Sequence, residues 1–247
     1  MKDDFKDRIA VVTGASSGIG LAVTDRLIAK GATVVAMSRK PGGLEKLMQK
    51  HPDKIRWVPG DVTKPEDLAR LAEQASSVGP IDYLVPNAGI AELADGLDVQ
   101  AFERQWAVNG AGALNTLTHL YKHLATPASV VFIGTFLENI TFAGLAAYIA
   151  SKAALKAHAR TLAVELAPKG VRINMVSPGP TATPIWSTLG LAEHDLTSVA
   201  NEVNKRLLGG AFLEPAAVAD VVLFQLSNGA KSVYGQDWVV DSGYSIR

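Results

Sequence analysis

The 247-residue sequence predicts an α/β protein: a three-layer, doubly wound parallel sheet of about seven strands flanked by helices. Three observations carry this prediction. Short, β-rich apolar runs alternate with longer helical patterns along the whole chain. The runs are apolar at successive positions, as strands buried on both faces are. The first run passes straight into a glycine-rich turn and then a helix, the start of a crossover. The length fits one domain over residues 1–247, with a loop or lid region at about 180–212 beside the expected crevice.

The expected strands are RIAVVTG (8–14), TVVAMS (33–38), IRWV (55–58), IDYLV (81–85), SVVFIG (129–134), VRINMVS (171–177) and DWVV (237–240). A helix from Gly18 to Lys30 follows the first strand. A second, Thr63 to Ser76, opens with T-K-P-E, where Thr63 can cap and Glu66 can reciprocate. Two longer helices are expected at 99–124 and 147–167, the latter ending before Pro168 and Gly170. Pro180 to Gly210 is the least regular stretch and reads as loop and short-helix material.

Composition narrows the function. Lys plus Arg and Asp plus Glu are equal at 24 each, which gives no electrostatic footprint for nucleic acid or an anionic membrane. The absence of cysteine excludes disulfides, thiolate catalysis and Cys-based zinc sites. His119 and His123 share a helix face but lack a third ligand, so no metal site is expected. The charged N-terminus lacks secretory features, and no apolar run approaches the roughly 18 residues a membrane span needs. The expectation is a soluble, cytoplasmic protein.

The turn after the first strand is T13-G14-A15-S16-S17-G18-I19-G20. Gly14 permits a tight turn, Gly18 lets backbone approach a pyrophosphate, and Gly20 allows close helix–strand packing. The backbone through Ser16, Ser17 and Ile19 then leads into a helix N-terminus that offers N–H groups to an anion. This G-x-x-x-G-x-G spacing resembles that of the short-chain dehydrogenase/reductase family. The resemblance extends through D61-V62, N87-A88-G89, Asn109, the Y148-x-x-x-K152 pair, P178-G179-P180-T181-A182-T183 and G235-Q236-D237-W238-V239-V240-D241. It implies a Rossmann fold and a nicotinamide cofactor. Asp61 and Val62 would flank the adenine, Asn87, Ala88 and Gly89 would lie along the ribose, and Thr183 would hold the carboxamide. Pro178, Gly179 and Thr181 would line the same site.

The second expected strand ends at Ser38-Arg39-Lys40, with no carboxylate for adenosine ribose hydroxyls. Arg39 can make charge-assisted bonds to a 2′-phosphate, and Ser38 can donate another. NADP(H) is therefore expected over NAD(H).

Tyr148 and Lys152 project from one helix face. A nearby ammonium favours the phenolate and lowers the tyrosine pKa toward a useful range. The resemblance implies that Tyr148 is the acid/base, that Lys152 also binds the nicotinamide ribose, and that Asn109 helps hold a proton-relay water. The family's third hydroxyl is a serine; counting back to its place from Tyr148 gives Thr135, preceded by Gly134. Threonine keeps the donor and acceptor of serine and adds a methyl that restricts χ1. Thr135 is expected to do the serine's work; the alternative is that its hydroxyl bonds only locally. A further departure is Pro86 before Asn87, which removes a backbone N–H.

The walls of the substrate pocket are expected from Phe136, Leu137, Ile140, Phe142 and Trp186. Glu138 and Asn139 could select a polar group, though solvated loop positions fit them better. Ala147, Ala150, Ala153, Ala154 and Ala157 form a small-residue helix face suited to close packing, and a homotetramer is expected, with a dimer as the alternative. The expected function is NADP(H)-dependent interconversion of a carbonyl and a secondary alcohol, on a small to medium ketone or a 3-oxoacyl compound. The alternative is a cofactor-binding protein with little turnover, acting as a sensor or structural partner.

Overall fold

Alternation along the strands decides the layering. A computed structural model describes residues 4–247; the first three residues of the charged N-terminus lie outside the described residues. The strands are β1 (Ile9–Thr13), β2 (Thr33–Ser38), β3 (Ile55–Pro59), β4 (Ile81–Val85), β5 (Leu124–Ile133), β6 (Val171–Pro178) and β7 (Asp237–Val240). They form one parallel sheet in the order β3-β2-β1-β4-β5-β6-β7. Val12, Val34, Tyr83 and Val131 enter one core layer, and their neighbours Val11, Val35, Leu84 and Phe132 enter the other. Every residue of β4 and β6 is buried, so helices must cover both faces. The strand order reverses between β1 and β4, and such a switch point leaves a crevice at the carboxyl ends of the strands.

The helices are α1 (Gly18–Ala29), α2 (Leu44–Lys50), α3 (Pro65–Val78), α4 (Val99–Trp106), α5 (Ala113–Leu120), α6 (Ala146–Leu166), α7 (Glu193–Arg206) and α8 (Pro215–Leu226). Leu27 of α1 and Val222 of α8 share the first core layer; Leu71 of α3, Leu117 of α5 and Leu155 of α6 share the second. No helix among the described residues is long and apolar enough to cross a membrane.

Several elements differ from expectation. The helix expected at 99–124 is interrupted by a π-helical turn, Ala107–Gly112, between α4 and α5. Gly110 lies against the Trp106 ring and Gly112 against Val62, leaving no room for a Cβ. β5 begins at Leu124, inside the expected helix. The capping box does not form: α3 starts at Pro65 after Lys64, with no side-chain cap. Thr63 instead donates through both N–H and hydroxyl to Asp61 Oδ1, at 2.9 and 2.8 Å. α7 is a regular helix of 14 residues within the stretch read as loop and short-helix material. α2 and α8 were not anticipated. α8 is apolar on nearly all sides because it is sandwiched between α1 and the sheet, so it lacks the stripe that marks a surface helix.

Candidate active site

β1 stops at Thr13, and the chain turns through Gly14 at φ +64° and Gly18 at φ +52°. A Cβ on Gly14 would lie 2.7 Å from Ala88 Cα, so the close approach of the two segments requires glycine. Gly20 packs directly beneath, where a Cβ would strike Asn87 Nδ2 and the Gly14 carbonyl. Asn87 locks this contact by donating from Nδ2 to the carbonyls of Thr13 at 3.0 Å and Gly14 at 3.2 Å. Thr13 Oγ1 accepts from the N–H groups of Asn87 and Ala88 at 3.1 and 3.2 Å. Pro86 leaves all these bonds intact. α1 starts with no side-chain cap from Ser17 and no acid in its first turn. Its leading N–H groups are therefore available to an anion.

This turn floors a cavity of about 490 Å³ at the carboxyl ends of the strands. Gly14, Ser16, Ser17, Gly18 and Ile19 line it at one end, with Ser38, Arg39, Asp61 and Val62 beside them. Asn87, Ala88 and Gly89 line the middle. Pro178, Gly179, Thr181 and Thr183 fold over from β6, and the Thr183 methyl lies about where a Gly18 Cβ would touch it, at 3.0 Å. Thr135, Tyr148 and Lys152 line the far end. Of the residues expected to bind the cofactor or act in catalysis, only Gly20 and Asn109 lie behind the surface rather than on it.

Thr135 is buried at the end of β5, with its hydroxyl acting on the Tyr148 phenol against the effect of burial. Its Oγ1 also accepts from Leu137 N–H at 3.4 Å, opening the short turn Phe136–Glu138. Gly134 has a packing reason, since a Cβ there would lie 2.5 Å from Ser177 Oγ and 2.8 Å from Met175 Sδ. Lys152 is buried and donates from Nζ to the Ile133 carbonyl at 2.8 Å. A strand-end hydroxyl, a helical phenol and a buried amine thus converge beside a phosphate-sized cradle. The chain also matches, over residues 14–245, the family described as enoyl-(acyl carrier protein) reductase.

The chain belongs to the short-chain dehydrogenase/reductase family, a group of Rossmann-type oxidoreductases. It is 33% identical to cis-4-hydroxycyclohexanecarboxylate dehydrogenase of Sinomonas cyclohexanicum, with 99% of each chain covered. It is 31% identical to carbonyl reductase [NADPH] 2 of Sus scrofa, again over 99% of each. It is 29% identical to the NAD-dependent glycerol dehydrogenase of Listeria innocua, over 99% of this chain and 96% of the relative. Among solved structures, a glucose/ribitol dehydrogenase from Brucella melitensis superposes with a TM-score of 0.90 at 28% identity, covering 99% of both chains.

The electrostatics of this short-chain dehydrogenase/reductase site depart from the sequence expectation. Burial pushes the Tyr148 phenol up; the Thr135 hydrogen bond acts the other way, and the Glu138 carboxylate adds to the rise. Lys152 is not among the influences on the phenol, and its amine donates to the Ile133 carbonyl. Burial instead pulls Lys152 itself down to about 8, opposed by Glu138.

Asn109, at the π-helical turn, spends its side chain inside the protein. Oδ1 accepts from Ile90 N–H at 2.8 Å, while Nδ2 donates to the Ile90 carbonyl at 3.0 Å and Ser151 Oγ at 3.1 Å. Its side chain therefore braces the Ile90 segment against α6 and has no donor left for a relay water. Ser38 is similarly committed. It donates to the Lys40 carbonyl at 2.7 Å and accepts from Trp57 Nε1 at 3.1 Å, so the donor expected for a phosphate is already used. Arg39 is exposed beside the cavity, with no ion-pair partner among the described residues.

Phe136, Leu137, Phe142 and Trp186 line the cavity as expected, whereas Ile140 packs against the core. Asn139 is exposed, but Glu138 is not solvated and does not reach the cavity. Its side chain is 4% exposed and lies 3.1 Å from Lys156 Nζ. Leu93, Leu145, Leu191, Val203 and Tyr244 also line the walls and were missed. They come from loops and helices separated by up to 150 residues of chain, so no local pattern marks them.

Proposed function

We propose that this protein is an NADP(H)-dependent oxidoreductase that interconverts a carbonyl and a secondary alcohol. The observation that carries the reading is the Thr135–Tyr148–Lys152 group at one end of a cavity whose other end is a glycine cradle and an uncapped helix. The cradle, in which Gly14 and Gly20 tolerate no Cβ, suits the pyrophosphate of a dinucleotide. The unpartnered Arg39 guanidinium suits a 2′-phosphate. Asp61 and Val62 would flank the adenine, Asn87 to Gly89 the ribose, and Thr183 the carboxamide. Hydride exchange is the chemistry such a cofactor supplies when bound.

The protein's own groups manage the proton. The Tyr148 hydroxyl gives its proton to the carbonyl oxygen in reduction and takes it back in oxidation. The raised phenol keeps that proton in the free protein and suits Tyr148 to act as the acid. Thr135 supplies a second hydroxyl that orients the same oxygen. Lys152 would bind the nicotinamide ribose, and Asn109 positions α6 through Ser151.

The substrate side of the cavity is apolar, with Leu93, Phe142, Leu145, Trp186 and Val203 on its walls. The charged residues lining the cavity are Arg39, Asp61 and Lys152, and the first two sit beside the cradle. This supports an uncharged reacting portion: a small to medium ketone or the 3-oxo end of an acyl compound. A homotetramer is supported by the outward face of α6, where Ala150, Ala153, Ala154 and Ala157 are exposed and Val164 is 75% exposed. Sedimentation of the purified protein tests it.

The function is tested by following NADPH and NADH oxidation with a panel of aliphatic and aromatic ketones and 3-oxoacyl thioesters. Faster turnover with NADPH, with the preference abolished in Arg39→Ala, is expected. NADH used at least as efficiently would overturn the cofactor assignment. Confirmed cofactor binding with no turnover of any carbonyl would favour the sensor or structural reading.

A further inference from the structure

Three charged side chains converge behind the reaction end, outside the cavity. Tyr148, Lys152 and Lys156 follow one another at i, i+4 and i+8 on α6 and so share a face. Lys156 Nζ lies 3.1 Å from Glu138 Oε2 and 2.8 Å from Asp237 Oδ2, the latter at the start of β7. The carboxylate side chains are 4% and 8% exposed, and that of Lys156 is 26% exposed. Two nearly buried carboxylates thus share one ammonium. Among the described residues, Glu138 Oε1 and Oε2 and Asp237 Oδ1 have no hydrogen-bond partner, so Lys156 meets Glu138 as an ion pair only. An under-compensated buried charge of this kind is costly, and beyond Lys156 it acts on Lys152, one helical turn away on the same face, where Glu138 is the electrostatic influence opposing burial.

We propose that Glu138 is a positioning residue acting through Lys152, keeping its amine charged and donating, while Lys156 and Asp237 govern how much charge Glu138 carries. The inference rests on the reading of Tyr148 and Lys152 as the proton-transfer pair. Glu138 faces Tyr148, Lys152 and Lys156 from α6 and Asp237 from β7. Burial pushes its carboxyl up to about 7; Lys156 opposes the rise, Asp237 adds to it, and Lys152 opposes it weakly. Burial thus pushes the Glu138 carboxyl up and the Lys152 amine down, toward each other, so the charge of each bears on the other near neutral pH. Glu138 touches neither the cavity nor the reacting atoms, and its influence is through charge alone.

The test is the titration of Lys152 in the intact protein, read by NMR on lysine carrying ¹³C at Cε and assigned by loss of the signal in Lys152→Met. Glu138→Gln removes the charge at nearly constant shape, and the Lys152 midpoint should fall by roughly half a pH unit or more. Asp237→Asn removes the group that opposes Glu138 ionisation, so the midpoint should rise. Glu138→Asp should return part of the shift. An unchanged midpoint in Glu138→Gln, or a fall in both variants, overturns the proposal. Should Glu138→Gln fail to fold, the direction of the Asp237→Asn shift decides alone. In turnover, the basic limb of the kcat/KM profile should move with the NMR midpoint; a uniform loss of kcat without that movement assigns Glu138 a merely structural part. Failure of the oxidoreductase reading is separable, because it shows as absent turnover in the unaltered protein whatever Lys152 does.

Discussion

The cradle end of the cavity is built from backbone, and the reaction end is built from buried and half-buried side chains. At the cradle, Gly14, Gly18 and Gly20 matter for the Cβ atoms they lack, and Asn87 matters because it ties two carbonyls of the turn. The residues that define it are nearly consecutive, and their demands are steric. At the reaction end, Thr135, Tyr148 and Lys152 come from β5 and α6, and each is governed by what surrounds it. Burial moves Tyr148 up and Lys152 down, and Glu138, outside the cavity, acts on both. A cradle residue should therefore affect cofactor affinity, and a reaction-end residue should affect turnover and its pH dependence.

The largest expected effect is at the reaction end. Tyr148→Phe removes the transferable proton and should lower kcat by roughly 10³-fold while cofactor affinity, read by NADPH fluorescence, stays within a few-fold. An equal loss of affinity would erase the distinction between the two ends. Thr135→Ala should follow at roughly 10²-fold in kcat, with Thr135→Ser retaining most activity. Equal losses in both variants would show that the methyl, and not the hydroxyl, is what the site needs.

The cradle comes next. Gly14→Ala places a side chain at positive φ against the Ala88 backbone, costing about 1–2 kcal/mol from conformation alone. The expected outcome is a lower Tm and a Kd for NADPH raised about tenfold or more, with residual kcat at saturating cofactor little changed. A fall in kcat alone would break the comparison.

The smallest effect concerns stability. The Glu138 carboxyl ionises at about 7 in the folded protein against 4.5 ordinarily. Between those values the unfolded chain releases its proton while the folded one keeps it, so this group's contribution to stability falls as pH rises through that window. Glu138→Gln lacks this loss, and its Tm relative to the unaltered protein should climb from the lower to the upper end of the window. A pH-independent difference in Tm would show that the carboxyl is not held neutral by burial.

Much of the fold was legible because its signals are local. The strands expected at 33–38, 81–85 and 237–240 have those limits in the structure, since each is a short apolar run stopped by turn residues or by the chain's entry into a loop. Extended and helical sections around Asn109 were harder. The helix expected at 99–124 contains a π-helical turn set by the Trp106 ring and Val62, and it yields to β5 at Leu124. α8 was hidden by its uniform apolarity, which reflects two-sided burial rather than strand character.

By itself the sequence determined the glycine turn, the strands along the chain, and the spacing that puts Tyr148 and Lys152 on one helix face, while the family resemblance pointed to Thr135. The first three follow from backbone geometry, which repeats over a few residues and can be counted. Tertiary structure alone decided that Glu138 is buried against Lys156, that Ser38 has spent its donor, that the Asn109 side chain faces inward, and that burial pulls the Lys152 amine down. The reason is physical. A side chain's solvation and charge depend on neighbours that the fold brings from distant parts of the chain, and that environment has no period for a sequence to display.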